Sequence, residues 1–295
     1  RLYAVDLGAR ARLWGWPGAA ATERPRLLGS LAVQEHELIQ GQQLLYVAAA
    51  HGEVLVLAVD AAGRITVYPK LKFEADVNAQ LTIDRSDPAR TQLYVPTGSS
   101  LVAYDVGTVT ERSPPVKLFT VRARGEITGT PRAITLTGEA GPLTCWLVTA
   151  SSGLVLALDL RKGTAEGKRV VGSWSTNGTG PSVPTVARDG SSAWVTLAEG
   201  RVQCLDLTRS GQLRWLAPAK GTSLGNLVGS PTLGRNGLYI ADSNGVLLCL
   251  DPQTGATRWK VDLGGTAVGG ALAVDGRVLV PLRNSQLVCF EEGEE

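Results

Sequence analysis

The sequence predicts an all-β fold built from a repeated unit of four antiparallel strands, and three observations support this. Short apolar runs that end in an acidic residue recur along the whole chain, at intervals of roughly 40 to 54 residues. These runs follow another apolar run and a short turn containing glycine or serine, which is the pattern of a β-hairpin. No stretch of about 11 residues or more shows a convincing helical period.

The recurring acids define the repeat. Each acid follows a large apolar residue, and the residue two places before it is always alanine or cysteine. These columns predict a strand wedged between neighbouring sheets, with space for a large side chain on one face only. We interpret the acids as turn-forming residues whose carboxylates accept backbone N–H groups. They are Asp6, Asp60, Asp105, Asp159, Asp206, Asp251 and Glu291.

The segments around each hairpin complete the repeat. In the sixth repeat, GSPTLGRNG predicts a first strand, LYIADSNGVLLCLD predicts the hairpin, and GATRWKVDL predicts a fourth strand. Four short antiparallel strands that recur at this spacing predict a β-propeller of four-stranded blades. Seven acid-ended strands favour seven blades. Six and eight are alternatives, because the chain starts in the third strand of one repeat and stops after the third strand of another. We predict one propeller domain over residues 1–295.

Tryptophans follow the acids at a similar spacing. Trp259 stands eight residues after Asp251, and Gly255 lies in the turn between them, where it can supply a positive φ. Trp14 and Trp215 follow their own repeat acids by eight and nine residues. We predict that these three tryptophans lie on fourth strands and cover the seams between adjacent blades.

The combined pattern resembles the pyrroloquinoline-quinone-like (PQQ-like) propeller repeat. That repeat is typified by a Tyr-Ala-Leu-Asp strand, an acid-to-glycine turn and a blade-docking tryptophan, as in GLYIADSNGVLLCLDPQTGATRW. Three repeats depart from it, with Tyr68 in place of the tryptophan in one and lengthened turns before Phe119 and Trp174 in the others. The resemblance covers nearly the whole chain and implies the propeller fold. Relatives include quinone-dependent dehydrogenases, an outer-membrane assembly lipoprotein of scaffold type and sensor domains attached to kinases.

We predict no catalytic, cofactor-binding or metal-binding residues, and therefore no enzyme activity and no cofactor. His36 and His51 have no cysteine or carboxylate pair nearby, so they make a poor metal site. The quinone enzymes that the chain resembles hold their cofactor with adjacent cysteines, which this chain lacks. We interpret the cysteines as small buried hydrophobes: Cys145, Cys204, Cys249 and Cys289.

Composition limits the partners. A net charge of +2 over 295 residues gives no strong basic field, so we predict no nucleic-acid binding. No run of about 18 apolar residues occurs, so no membrane span is predicted. The chain begins with Arg1 and contains no methionine, so we expect a segment of a longer parent protein. Its localisation is unknown, although unpaired cysteines favour a reducing compartment such as the cytoplasm.

The predicted function is a non-catalytic scaffold that binds a protein partner or other domains of its parent chain. Two long loops, at residues 14–26 and 108–117, are candidate binding elements on the rigid fold. Two alternatives stay open. One is a sensor of a small ligand or cofactor, with a central channel lined by first strands such as GPSVPT and GSPTL. The other is a degenerate quinoprotein enzyme.

Overall fold

The computed structural model describes residues 1–6, 11–17, 25–86, 90–138, 141–161, 168–218 and 223–292. The chain forms two compact units, Arg1–Arg122 and Ala123–Glu295. In the described residues the regular elements are β-strands, which are grouped into seven antiparallel sheets. The prediction of one propeller domain over residues 1–295 stays a prediction.

The first unit contains three sheets, and within each sheet every strand pairs with the next one in sequence. Sheet 1 contains β1 (Leu2–Asp6) and β2 (Ala11–Trp16). Sheet 2 contains β3 (Leu27–Glu35), β4 (Gln43–Ala49), β5 (Glu53–Val59) and β6 (Ile65–Lys72). Sheet 3 contains β7 (Thr82–Asp84), β8 (Gln92–Thr97), β9 (Ser100–Asp105) and β10 (Val116–Arg122).

The second unit contains four sheets with the same sequential pairing. Sheet 4 contains β11 (Arg132–Gly138), β12 (Gly141–Ala150), β13 (Leu154–Leu158) and β14 (Val170–Ser175). Sheet 5 contains β15 (Thr185–Val186), β16 (Ser192–Leu197), β17 (Arg201–Asp206) and β18 (Leu213–Ala217). Sheet 6 contains β19 (Leu227–Leu233), β20 (Leu238–Asp242), β21 (Val246–Leu250) and β22 (Thr257–Asp262). Sheet 7 contains β23 (Leu272–Val274), β24 (Arg277–Pro281) and β25 (Leu287–Glu291).

These sheets confirm the predicted fold class. Successive four-stranded antiparallel sheets, each formed by consecutive strands, are the blades of a β-propeller. The second and third strands of the complete sheets are buried along most of their length, as in β4 and β5. The fourth strands are more exposed, as in β22. Burial is therefore greatest in the two middle strands of the complete sheets, as in β8, β16 and β20 against the first strands β7, β15 and β19.

In three sheets the alanine or cysteine of the repeat column lies between large side chains of the same sheet. In sheet 6 the register aligns Tyr239, Cys249 and Trp259, and the centroids of the two rings are 5.8 Å apart. The residue between two aromatic side chains on one face must be small, because a larger one would need the space that the rings occupy. Sheets 3 and 5 have the same arrangement, in Tyr94–Ala103–Phe119 and Trp194–Cys204–Trp215.

Two of the predicted seam tryptophans contact the acid turn of the following repeat. A Cβ atom added to Gly63 would lie 3.0 Å from the Trp14 ring, and one added to Gly255 would lie 2.6 Å from the Trp215 ring. The Trp215 indole also donates a hydrogen bond to the carbonyl of Pro252, at 3.2 Å. Trp259 is 41% exposed and packs on Tyr239 of its own sheet. The seam role of the three tryptophans stays a prediction.

Repeat acids bond the backbone of the turns that follow them. The Oδ1 atom of Asp251 accepts hydrogen bonds from the N–H groups of Gln253 and Thr254, at 2.8 and 2.9 Å. The Arg258 side chain and these N–H groups lower the pKa of Asp251 to about 2. The acids that accept a bond from the residue two places on are Asp60, Asp105, Asp159, Asp206 and Asp251. The side chain of Asp6 lies outside the described part of the chain.

The interpretation of the cysteines as buried hydrophobes holds for three of them and is wrong for Cys289, which is exposed. In sheet 6, Cys249 packs in one cluster with Val278 and Val280 of sheet 7. The corresponding face of sheet 7 has no such cover among the described residues, and Leu287 on it is 63% exposed. The same repeat position is therefore core in one sheet and surface in the next.

Candidate functional site

A groove of about 910 Å³ lies in the first unit, beside the loop that joins β3 to β4. The loop, at residues 35–38 and 40–43, forms one wall, and the turn at 60–63 with two residues of β2 forms the other. Large exposed fractions occur on three apolar side chains at this groove: Leu13 (65%), Leu38 (58%) and the adjacent Ile39 (39%). Exposed apolar side chains around a concave surface are typical of a binding site.

The β3–β4 loop is closed by its own hydrogen bonds. The backbone N–H of His36 donates to the carbonyl of Gln42 at 2.8 Å, and the N–H of Leu38 donates to Nδ1 of His36 at 3.2 Å. The imidazole ring also packs edge-on against Tyr68, with centroids 6.1 Å apart. The loop is therefore ordered around His36, and Leu38 points to solvent from a fixed base.

Sheet 3 supports the same loop from outside. The Gln34 side-chain amide donates to the carbonyl of Val106 at 3.1 Å. The Thr91 hydroxyl donates a hydrogen bond to the Glu37 carboxylate. Both contacts join residues more than 50 positions apart, so the groove wall depends on the packing of sheet 2 beside sheet 3.

Among the described residues that line the groove, the charged side chains are acidic. Glu35 and Glu37 are exposed on the loop, and Asp60 lies on the opposite wall. Hydrogen bonds from the backbone N–H and the guanidinium of Arg64 lower the pKa of Asp60, so its carboxylate is charged at neutral pH. Acidic groups beside exposed leucines fit a ligand segment that combines basic and apolar side chains.

His36 makes this loop sensitive to acid. Burial lowers the pKa of the His36 imidazole, against an opposing effect of Glu37, and its buried Nε2 has no hydrogen-bond partner among the described residues. The unfolded chain therefore binds a proton before the folded chain does as the pH falls below about 6.5. We expect the free energy of unfolding to decrease with acidification in this range, by at most about 1.4 kcal/mol per pH unit for this one proton.

Urea unfolding between pH 7.5 and 5 measures this effect. We expect His36→Gln to remove this part of the pH dependence. The matched control is His51→Asn, which changes the other histidine, exposed in the β4–β5 turn with φ 63°. A His36→Gln variant with the same slope as the wild type would contradict the assignment.

A second concavity, of about 480 Å³, lies in the second unit. Residues in and next to the first strands β15, β19 and β23 line it, and these include the GPSVPT, GSPTL and GGALA segments predicted for a channel. Most of the lining is small, as at Thr185, Pro231 and Ala271. The exposed guanidinium groups of Arg132 and Arg188 could pair with a carboxylate or a phosphate.

The two loops singled out in the sequence are placed differently. Residues 14–16 of the first belong to β2, where Trp14 and the adjacent Leu13 line the groove, and residues 18–24 lie outside the described residues. The second loop, at 108–117, ends in the first two residues of β10 and does not line either concavity in the described chain. The sequence did not predict the groove loop HELIQGQ, because its mixed polar and apolar residues form no periodic pattern.

Across the residues that the structure describes, no group of three His, Cys, Asp or Glu side chains could hold a metal ion. In the same residues, no helix has the length and apolar character needed to cross a bilayer.

Comparisons with known proteins support the PQQ-like propeller repeat over part of the chain. A family profile described as "Outer membrane protein assembly factor BamB" matches residues 198–294. BamB of Nitrosomonas eutropha is 34% identical over 62 residues, which cover 21% of this chain and 15% of that protein. The serine/threonine-protein kinase AfsK of Streptomyces griseus is 34% identical over 132 residues, or 42% of this chain and 16% of the kinase. The chain therefore spans about a sixth of the length of these relatives.

Solved structures confirm the propeller fold. BamB from Moraxella catarrhalis has a TM-score of 0.55 at 19% identity, over 89% of this chain and 72% of that one. BBS1N, crystallised in complex with ARL6DN, has a TM-score of 0.61 at 13% identity, over 91% and 79%. A chain of the mitotic checkpoint complex has a TM-score of 0.58 at 14% identity, over 92% and 84%. Structural neighbours of this chain thus include propellers in complexes with other proteins.

Proposed function

We propose that this chain is a non-catalytic propeller scaffold that binds a protein partner, or another domain of its parent protein, through the groove beside the β3–β4 loop. The observation that carries the proposal is the exposure of Leu13 (65%) and Leu38 (58%) at a groove of about 910 Å³. Burial of these side chains by a partner is favourable, at about 25 cal/mol per Å² of apolar surface.

The anchoring of the loop supports the same function. The hydrogen bond from Thr91 to Glu37 of the loop, and the one from Gln34 of β3 to Val106, are made before any partner arrives. A preformed surface loses little conformational entropy on binding, so more of the contact energy appears as affinity. The acidic side chains Glu35 and Glu37 favour a partner segment that carries basic residues beside apolar ones.

Substitution at Leu38 tests the groove. A photo-crosslinking residue at position 38 of the parent protein, expressed in its own cells, identifies the partner by mass spectrometry. With that partner purified, we expect Leu38→Glu to raise the Kd about tenfold or more, because the substitution places a charge where apolar surface is buried.

The matched control is Val67→Glu, on β6 of the same sheet, where Val67 is 56% exposed and outside the groove. A photo-crosslinking residue at position 67 should capture the partner poorly. The Val67→Glu variant should bind the partner with the wild-type Kd. Equal weakening by both variants, or no weakening by Leu38→Glu, would contradict the groove as the binding surface.

The second candidate is a small-ligand sensor. It is supported by the concavity of about 480 Å³ with its two arginines, and by the local similarity to a kinase. Native mass spectrometry of the chain isolated from its own source separates the two functions. A bound mass of a few hundred daltons favours the sensor and counts against the pure scaffold. A protein-sized adduct without a small molecule favours the scaffold.

A further inference from the structure

Three asparagines of the chain precede a glycine, and these are Asn177, Asn236 and Asn244. In such a pair the backbone nitrogen of the glycine can attack the side-chain carbonyl carbon of the asparagine, because glycine has no side chain to block the approach. The attack requires a glycine N–H that is free to lose its proton and room for a ring to close. Since the three pairs share this sequence, their surroundings in the fold determine which of them reacts.

The Asn177–Gly178 pair lies in the loop between β14 and β15, where Asn177 is exposed. The backbone N–H of Thr176 donates to the carbonyl of Gly153 at 2.8 Å, and the Thr176 hydroxyl donates to the carbonyl of Gly178 at 2.7 Å. These bonds fix the start of the loop without using the Gly178 N–H, for which the described residues provide no hydrogen-bond acceptor. The attacking nitrogen is therefore unoccupied.

Arg201 contacts the same peptide unit. Its Nη2 atom donates to the carbonyl of Asn177 at 2.7 Å, and its side chain is only 9% exposed. This carbonyl and the Gly178 nitrogen belong to one amide group. A buried cation bonded to the carbonyl stabilises the negative charge that the amide acquires when the nitrogen loses its proton. Arg201 therefore favours the form of the nitrogen that attacks.

The Asn244–Gly245 pair lies in the hairpin turn between β20 and β21, and its nitrogen is occupied. The N–H of Gly245 donates to the carbonyl of Asp242 at 3.1 Å, and the side-chain amide of Asn244 donates to the Asp242 carboxylate at 3.2 Å. Gly245 is also buried. Because ring closure would break both hydrogen bonds, this pair is protected in the folded chain.

The Asn236–Gly237 pair separates the effect of the cation from that of exposure. Arg258 donates to the carbonyl of Asn236, as Arg201 does to that of Asn177. However, Gly237 is buried, and a Cβ atom added to it would collide with a side chain of β21. This pair has the cation without an accessible glycine, so among the three only the pair at residue 177 has both.

We propose that Asn177 is a site of spontaneous modification, at which the chain converts its own asparagine to aspartate and isoaspartate. The Gly178 nitrogen gives its proton to water and bonds to Cγ of Asn177. The bond from Cγ to Nδ2 then breaks, and Nδ2 takes up a proton and leaves as ammonia, so that a succinimide ring remains. A water molecule opens the ring at either carbonyl, which yields aspartate or isoaspartate. The proposal does not depend on the groove of the first unit.

The modification changes the contacts of the loop. The side-chain amide of Asn177 donates to Oε1 of Gln203 at 3.1 Å, and Gln203 is 1% exposed. The Glu199 carboxylate lies beside Gly178, since a Cβ atom added to that glycine would collide with it. A carboxylate at position 177 therefore replaces a donor by an acceptor opposite Gln203 and adds a negative charge near Glu199. The product loop cannot keep the starting contacts.

Peptide mapping tests the proposal. The purified chain is incubated folded at mildly alkaline pH, which favours loss of the amide proton, and is then digested with trypsin. Residues 170–188 form one peptide, with Asn177, and residues 236–258 form another, with Asn236 and Asn244. We expect the mass increase of deamidation to accumulate about tenfold faster or more at Asn177, since one retained hydrogen bond protects by about that factor. Aspartate and isoaspartate forms of the peptide should appear together.

Incubation in urea and two variants provide the controls. In urea the three asparagines should react at similar rates, because the contacts that distinguish them are lost. In the folded chain, Arg201→Gln should slow the reaction of Asn177 about tenfold, the effect of about one unit in the pKa of the Gly178 amide. Arg201→Lys keeps the positive charge and should keep most of the rate. Continued protection of residues 236–258 verifies that each variant is folded.

Two results would overturn the proposal. One is a folded chain in which residues 170–188 stay unmodified while the urea sample reacts. The other is equal modification of the two peptides in the folded chain. A rate that is unchanged or faster in Arg201→Gln would remove Arg201 from the mechanism. Equal slowing by Arg201→Gln and Arg201→Lys would contradict an effect of its charge.

Discussion

Replacing Trp174 with alanine is expected to lower the free energy of unfolding by about 3–5 kcal/mol, the cost of truncating a buried aromatic residue. Trp174 is 1% exposed and belongs to the core cluster between sheets 4 and 5. Its indole N–H donates to the carbonyls of Asp206 and Arg209, at 2.8 and 3.2 Å, in the turn of the next repeat. Trp174→Ala therefore removes both the apolar contacts of the ring and a hydrogen-bond donor.

Two further variants separate these contributions. Trp174→Phe retains an aromatic ring and loses the N–H group, so we expect a smaller loss of about 1–2 kcal/mol. Trp259→Ala is the matched control, because Trp259 also lies on a fourth strand but is 41% exposed. We expect Trp259→Ala to lower the free energy of unfolding by about 0.5–1.5 kcal/mol, the contribution of one aromatic pair. Trp259 forms this pair with Tyr239. Urea unfolding that gives equal losses for the two alanine variants would contradict the core role of Trp174.

Trp174 also shows what the sequence could predict. The acid columns and hairpin turns predicted the sheets, because period-two patterns and turn residues act locally. The spacing of eight or nine residues after a repeat acid identifies Trp14, Trp215 and Trp259 as equivalent. The lengthened turn before Trp174 breaks this spacing, so the sequence does not place Trp174 with them. The structure pairs Trp174 with Val155 of β13, whereas Trp215 and Trp259 face cysteines. An insertion before a strand changes the spacing but not the side of the sheet that the strand presents.

Local sequence patterns do not predict which surfaces are exposed. Cys289 occupies the same sequence column as Cys249, and the two differ only in whether another sheet covers their face. The groove depends on Gln34 and Glu37 of sheet 2 and its loop, which bond to Val106 and Thr91 beside the strands of sheet 3. Such contacts join distant parts of the chain, and one sequence gives no sign of them.

Gly255 gives the second large expected effect, at the contact between its turn and Trp215 of sheet 5. Gly255 has φ +74°, and a Cβ atom there would lie 2.6 Å from Cε3 of Trp215 and 2.9 Å from Cβ of Ala217. Alanine therefore encounters an unfavourable backbone conformation, at about 1–2 kcal/mol, and overpacking against the indole, at about 1–3 kcal/mol. We expect Gly255→Ala to lower the free energy of unfolding by about 3 kcal/mol in urea titrations.

Gly264 provides a control for the backbone contribution. It has φ +69°, and an added Cβ would have no atom within 4 Å, so Gly264→Ala should show the backbone cost alone, about 1–2 kcal/mol. Comparable losses at Gly255 and Gly264 would mean that the Trp215 ring moves aside without cost.

A double-mutant cycle assigns the difference to the indole ring. In a Trp215→Ala background the indole atoms are gone but the Cβ atom of Ala217 stays at 2.9 Å, so Gly255→Ala should cost less than in the wild type and more than Gly264→Ala. The coupling between the two substitutions should then be about 1–3 kcal/mol, because each removes the reason for the other's effect. If the losses of unfolding free energy from Gly255→Ala and Trp215→Ala simply add, the need for glycine arises within the turn itself. There the N–H of Gly255 donates to the Asp251 carbonyl at 2.8 Å. A measured coupling would instead establish that glycine is needed in the turn because a tryptophan of the preceding repeat packs on it.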